Sequence, residues 1–185
     1  MSEEPVLETS LDSQFAALQR PELADLYREL LSSFPAGVTV VTAFDATGQP
    51  RGLTLIAFCG VSLQPPLVLV CVDRASNTLP AIQSSGGFTI NFVGHHSDHV
   101  ATLMATKAAD KFERIAWRRP EFPQGGPVLY EDAAAHIVCR TWQAIEAGDH
   151  WVFIGEVMEG ATEEGQLPLL FHRRAFIDLS AVNPA

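Results

Sequence analysis

A chain of 185 residues, 47% apolar and 18% charged, is one domain's worth of sequence, apolar enough to build a core and too apolar for a disordered chain. Its 12 basic and 22 acidic residues leave a net charge of −10, and such a surface repels phosphate backbones, which argues against nucleic-acid binding as a main role while leaving room for local basic pockets. No apolar run approaches the roughly 18–20 residues of a membrane span. Residues 1–12 are acidic and lack a basic-then-apolar leader pattern, which predicts a cytoplasmic protein with no membrane partner. Cys59, Cys71 and Cys139 form no CxxC pair, and their odd number argues against a disulfide framework.

Residues 1–20 are polar with scattered apolar positions and are expected to form a flexible arm. Pro21 suits a first helical turn. Leu23, Leu26, Tyr27, Leu30, Leu31 and Phe34 then recur at helical spacing, with Asp25, Arg28 and Glu29 between them. The helix is predicted to stop at Phe34-Pro35, because the residue before proline resists helical geometry. Strands follow. Val38–Phe44 is dense in β-branched residues, Asp45–Gly48 supplies a turn, and Gly52–Phe58 answers as the second arm of a hairpin. Leu67–Val72 and Phe88–Val93 read as further strands, with a short helix over Thr78–Ser85 capped by Ser76 or Thr78. Ser97 is placed to cap a second helix running to about Thr106. Residues 114–127, with three prolines and two glycines, read as an excursion loop. Longer strands over 134–146 and 150–158 flank Ala147-Gly148-Asp149, and 169–179 reads as a closing strand. At least seven strands with few helices suggest a closed β-barrel in a single domain.

Several features could carry chemistry. Ser76-Asn77-Thr78 stands at a helix start, where free amides, a positive dipole end and two hydroxyls suit a phosphate; ordinary capping uses the same residues. Gly52 and Thr54 beside small Ala57 would let a flat ligand approach the backbone, or simply mark a buried strand. Gly148 and Asp149 are turn residues, whereas the turn does not explain His150, whose imidazole can donate, accept or change charge near neutral pH. His95, His96 and His99 lack the glutamate of HExxH and read as a solvated cluster, so no metal is expected. No GxSxG, Walker A or GxGxxG motif occurs.

One set of segments, in order, runs from Phe34 to Phe176. It comprises Phe-Pro-Ala-Gly-Val-Thr-Val-Val-Thr (34–42), Gly-Leu-Thr (52–54), Phe58, Val-Ser-Leu-Gln-Pro-Pro-Leu-Val-Leu-Val-Cys (61–71) and Ser-Asn-Thr (76–78). It continues with Phe-Thr-Ile-Asn (88–91), Asp-Lys-Phe (110–112), Gly-Asp-His (148–150), Phe-Ile-Gly-Glu-Val (153–157) and Leu-Phe-His (170–172). This pattern resembles the flavin reductase-like family of FMN-binding split barrels, which includes the reductase components of two-component flavin monooxygenases.

The resemblance implies a mainly β fold, a split β-barrel with a few short helices over residues 21–180. It also implies a homodimer with FMN or FAD in an interface cleft and NADH or NADPH as hydride donor. On matching positions, Thr54, Leu55, Ile56 and Ala57 would wall the isoalloxazine and offer it backbone donors. Ser76 and Thr78 would hold phosphate, and Asn91, Lys111 and Phe112 would be further flavin neighbours. His150 would be the catalytic residue facing the nicotinamide and flavin edge, with Phe171 and Arg173 on the nicotinamide side. Where the family often reads Thr-Ala-Ser-Ser, this chain has Thr54-Leu-Ile-Ala57, and Arg174 stands where a glycine often follows the first arginine. The expected activity is NAD(P)H-dependent flavin reduction, supplying reduced flavin to a separate monooxygenase. The rival readings are a reductase that retains FMN and acts on another substrate, and a flavin-binding module without turnover.

Overall fold

The computed structural model describes residues 21–177 and 179. Helix α1 (Pro21–Ser32) leads into β1 (Ala36–Gly37), β2 (Thr39–Phe44), β3 (Pro50–Leu55), β4 (Phe58–Leu63) and β5 (Pro66–Asp73). Then come α2 (Leu79–Ser85), β6 (Gly87–Val93), α3 (Asp98–Ala105), a 3-10 turn at Lys111–Glu113, and the long hairpin β7 (Ala133–Ala147) and β8 (His150–Thr162). Strands β9 (Leu170–His172) and β10 (Ala175–Ile177) close the described chain.

Strands β2 to β8 form one antiparallel sheet in the order β3-β2-β6-β7-β8-β5-β4. The edge strands β3 and β4 are neighbours in sequence, separated only by Ile56-Ala57. A two-residue link spans only a few ångströms per residue, so the sheet has to curl until its two edges meet at that corner. The expected closed barrel is thereby corrected: among the described residues no ladder joins β3 to β4, and the barrel is split along that seam. β4 is itself a correction, since residues 52–58 were expected to be a single strand. The closing segment is likewise two strands, turning at Arg173 and Arg174, both with positive φ (49° and 64°), and β9 pairs with β1.

β2 is buried along its whole length, and its pleat serves two cores. Val41 and Ala43 face the barrel interior with Val70, Ile82, Phe88 and Phe153. Val38 and Val40 face a second core with Val100, Met104, Leu129 and Leu169, beneath α3. α2 plugs one barrel end with Leu79, Ala81 and Ile82 and stops at Gly86, whose φ of 73° needs no Cβ. The excursion loop returns against β2 so closely that a Cβ on Gly126 would fall 2.1 Å from the Thr42 carbonyl oxygen. No described helix is long and apolar enough to cross a membrane.

Candidate functional site

β3 is an edge strand, so alternate main-chain groups of Gly52–Leu55 face away from the sheet. Leu53 and Leu55 are the residues bonded toward β2: the Thr39 hydroxyl donates to the Leu55 carbonyl (2.9 Å). Gly52 and Thr54 therefore present their main chain to the free edge, and there the Lys111 ammonium donates to the Gly52 carbonyl (3.3 Å) as well as to that of Met104 (2.9 Å). Burial pushes the Lys111 pKa below its ordinary value.

Three adjoining hollows run along this edge. An apolar one of about 380 Å³ lies between Leu55 and Ile56 on one side and Ala101, Ala105, Phe171 and Phe176 on the other. It shares Thr54 and Ala105 with a neighbouring hollow of about 300 Å³, whose polar lining includes Asp73, Ser76, Asn77, Thr78, Lys107 and Lys111. The third, of about 140 Å³, adds Arg51 and Phe112. α3 is fastened over the edge by the Thr54 hydroxyl, which donates to the Ala101 carbonyl (2.6 Å).

The Asp73–Thr78 loop is internally braced. The Asp73 carboxylate accepts from the Ala75 amide (2.7 Å), and the Ser76 hydroxyl accepts from the Thr78 amide (3.2 Å). Thr78 occupies the position before α2 but makes no side-chain cap bond, so its hydroxyl is not spent on the helix as the capping reading expects. Ser97 also departs from that reading: its hydroxyl donates to Asp132 (2.8 Å) in place of capping α3.

His150 opens β8 beside Asp73 of β5. Its Nδ1 donates to the Asp149 carboxylate (2.7 Å), which pulls the Asp149 pKa down and leaves Nε2 as the ring's outward polar atom. The turn is bolted to the Asp73–Thr78 loop by the Arg74 amide, which donates to the Asp149 carbonyl (3.0 Å), and by an Arg74–Glu146 ion pair. His150 lines none of the three hollows.

The predicted residues thus divide. Thr54, Leu55, Ile56, Ser76, Thr78, Lys111, Phe112 and Phe171 gather along one edge. Ala57 sits at the corner, where its carbonyl accepts from the Cys71 amide (3.1 Å). Arg173 lies in the β9–β10 turn, its amide donating to the Ser32 carbonyl (2.8 Å). Asn91 stands apart from this edge and lines none of the three hollows. It is fully buried, its amide nitrogen donates to the Val40 and Pro127 carbonyls (3.2 Å each), and its oxygen accepts from the Leu129 amide (2.9 Å). It pins the returning loop to β2 and β6. Gly52 is packed on its side-chain face, where a Cβ would meet Phe112 Cζ at 3.0 Å and Met104 Sδ at 3.2 Å, as the buried-strand reading expects. Arg51, Lys107 and Phe176 were not anticipated. The spacing of Lys107 and Lys111, four apart in sequence, was the available sign for one of them.

A family model described as flavin reductase like domain matches residues 31–180, most of the chain. This chain belongs to the flavin reductase-like family. A flavin reductase (NADH) of Kitasatospora aureofaciens is 37% identical over 153 residues, covering 82% of this chain and 80% of that protein. A flavin reductase (NADPH) of Lentzea aerocolonigenes is 39% identical over 150 residues, covering 81% and 86%. Among solved structures, nitrilotriacetate monooxygenase component B from Mycobacterium thermoresistibile superposes with a TM-score of 0.79 at 32% identity, over 89% of this chain and 92% of that one. Family membership fits the open edge of β3: an apolar hollow suited to a flat ring system beside a hollow lined by hydroxyls and ammonium groups, the two sharing Thr54 and Ala105. Among the described residues no group of three or more His, Cys, Asp or Glu side chains gathers as for a metal ion.

Proposed function

We propose that this flavin reductase-like chain is an NAD(P)H-dependent flavin reductase that passes reduced flavin to a separate monooxygenase. The observation that carries the reading is the pair of adjoining hollows on the free edge of β3. Bound flavin supplies a hydride-accepting ring, and the protein supplies place and orientation. Leu55, Ile56 and Phe171 bury the ring's apolar faces and exclude water. The outward main-chain groups of β3 at Thr54 are placed to hydrogen-bond its polar edge, a role that does not need a hydroxyl at Ile56. Ser76, Thr78 and Lys111 hold the phosphate through charge-assisted bonds. His150, its ring fixed by Asp149, orients the nicotinamide through Nε2, with Phe171 and Arg173 on the same nucleotide. No protein nucleophile is required.

The reading includes a homodimer. Trp142 and Ile145 on β7, Val61 and Leu63 on β4, and Leu30 on α1 are large apolar side chains left exposed, Leu63 to 90%. A second copy is the cover that would bury them. Sedimentation of a monomer that binds flavin with full affinity contradicts the dimer.

Mixing purified protein with NADH or NADPH, with and without added FMN or FAD, tests the activity. Nucleotide oxidation that depends on free flavin is expected. Oxidation that needs only retained flavin and a third substrate, or no oxidation with any combination, contradicts it.

A further inference from the structure

The β9–β10 hairpin closes on a two-residue turn: His172 pairs with Ala175, and only Arg173 and Arg174 lie between them. Both have positive φ, 49° and 64°, and among the described residues they are the only ones other than glycine that do. Hairpin turns of this shape favour Asn-Gly or Asp-Gly, because a side chain crowds the left-handed backbone. Two consecutive arginines strain it twice. We propose that Arg174 is a specificity-determining residue whose guanidinium takes the 2′-phosphate of NADPH, so that NADPH is preferred to NADH. The proposal rests on the flavin reductase reading and goes beyond it.

Nothing inside the fold calls for these two side chains. The Arg173 amide donates to the Ser32 carbonyl at the end of α1 (2.8 Å), but that is a main-chain bond, which glycine makes equally well. Both arginines are exposed, so neither packs a core. Arg28, Arg51, Arg74 and Arg140 each pair with a carboxylate, whereas among the described residues Arg173 and Arg174 pair with none. Backbone strain without a structural reason clusters at sites that meet a ligand, and two adjacent free guanidinium groups specify an anionic one.

Position narrows the anion. Phe171 and Phe176 face each other across the hairpin, their rings 5.6 Å apart, and both line the apolar hollow. The turn lies two residues beyond them, about 7 Å at roughly 3.3 Å per residue. A nicotinamide stacked on a ring in that hollow leaves its pyrophosphate and adenosine outside, past the hollow's wall, and this hairpin is one such wall. The flavin's own phosphate is not the occupant: Ser76, Thr78 and Lys111 line the neighbouring hollow, to which neither Phe171 nor Phe176 contributes. NADH and NADPH share the pyrophosphate, and NADPH alone adds a phosphate monoester. On a chain of net charge −10, that added charge is repelled unless local cations offset it. Arg173 serves the part common to both nucleotides, and Arg174 supplies the second cation, whose planar fork binds a phosphate through two parallel bonds.

The test is steady-state kinetics with NADPH and with NADH at saturating FMN, together with equilibrium binding of 2′,5′-ADP and of ADP, on the full chain, Arg174→Gln and Arg174→Gly. In the parent, kcat/KM for NADPH should exceed that for NADH by about tenfold or more, and 2′,5′-ADP should bind tighter than ADP by a similar factor. Arg174→Gln should bring both ratios to within about twofold of one, through the KM for NADPH, because it removes the charge. Arg174→Gly should do the same with an unchanged or raised Tm, since glycine suits the positive φ; this variant keeps the turn and so separates the lost charge from a lost fold. Equal losses for NADPH and NADH overturn the proposal by assigning Arg174 to the shared pyrophosphate. A parent without preference for NADPH, or a preference that survives in both variants, overturns it as well while the reductase reading stands. Absence of nucleotide oxidation with any flavin, with 2′,5′-ADP still bound tighter than ADP through Arg174, contradicts the functional reading and leaves the phosphate site in place.

Discussion

Two parts of this molecule carry the same kinds of polar side chain and use them in opposite ways. Along the seam between β2, β6 and the returning loop, Thr42, Thr89 and Asn91 are fully buried and saturated by the chain itself. The Thr42 hydroxyl donates to the Pro127 carbonyl (2.7 Å), the Thr89 hydroxyl to that of Gly126 (2.8 Å), and Asn91 completes the lattice. Along the free edge of β3, Ser76 and Thr78 line an open hollow beside a partly buried lysine, and Thr78 makes no cap bond. A buried polar group without a partner is costly, so the seam is filled with carbonyls, whereas the edge hydroxyls stay open to solvent and to the phosphate proposed for them.

The contrast breaks most visibly at Asn91. Asn91→Ala strands two carbonyls and the Leu129 amide inside the core and should cost about 3 kcal/mol of stability. Chemical denaturation measures the loss, and the FMN affinity of the folded fraction should stay at the parental value. A large loss of affinity with stability intact would move Asn91 back to the ligand.

Gly52→Ala probes where the two regions touch. The new methyl meets the Phe112 ring and the Met104 sulfur, both of which are side chains able to shift, so overpacking should cost about 1–3 kcal/mol. Because Phe112 and Lys111 move together, FMN binding should weaken as well. Stability loss without any change in binding would separate this wall from the groove.

His150→Ala sharpens the functional side. The Ala147–Asp149 turn forms without the imidazole, so stability should change by less than about 1 kcal/mol. Hydride transfer measured by rapid mixing should slow by about tenfold or more with flavin affinity unchanged. Parental reduction rate and nucleotide affinity together would leave His150 a turn residue.

The smallest effect concerns Lys111. Its pKa is lowered by burial from 10.5, so between the lowered value and 10.5 the unfolded chain holds more protons than the folded one. Stability contributed by this group therefore rises with pH across that window. Phosphate binding runs the other way: the ratio of FMN to riboflavin affinity should fall as pH climbs through the lowered pKa, and Lys111→Met should flatten that dependence. An unchanged profile in Lys111→Met assigns the ammonium solely to the Gly52 and Met104 carbonyls.

Much of the fold is legible in the sequence, and its failures have physical causes. β2, β5, β6, α2, α3 and the β7–β8 hairpin announce themselves through β-branched runs, helical spacing and Gly148. β4 does not, because the corner Ile56-Ala57 contains no turn residue and the chain reads on as one strand. The β9–β10 turn hides for the same reason, being built from Arg173 and Arg174 at positive φ, where glycine or asparagine would have been the signal. For the site, Ser76, Thr78 and Lys111 were legible as a hydroxylated helix start and as positions of a family resemblance. Arg51, Lys107 and Phe176 acquire meaning only when the curled sheet brings residues 51, 107 and 176 to one edge. Asn91 enters through the family resemblance alone, and the three main-chain groups it bonds come together only in the fold.

The central claim is that the Ser76 and Thr78 hydroxyls before α2 donate to a phosphate, Ser76 while accepting from the Thr78 amide. Equilibrium titration of the Ser76→Ala/Thr78→Ala double variant with FMN and with riboflavin tests it most directly. Each charge-assisted bond is worth roughly 1.5–3 kcal/mol, so FMN affinity should fall by about a hundredfold or more while riboflavin, which has no phosphate, loses little. Equal losses for the two ligands would show that Ser76 and Thr78 only shape the loop, and would contradict the account.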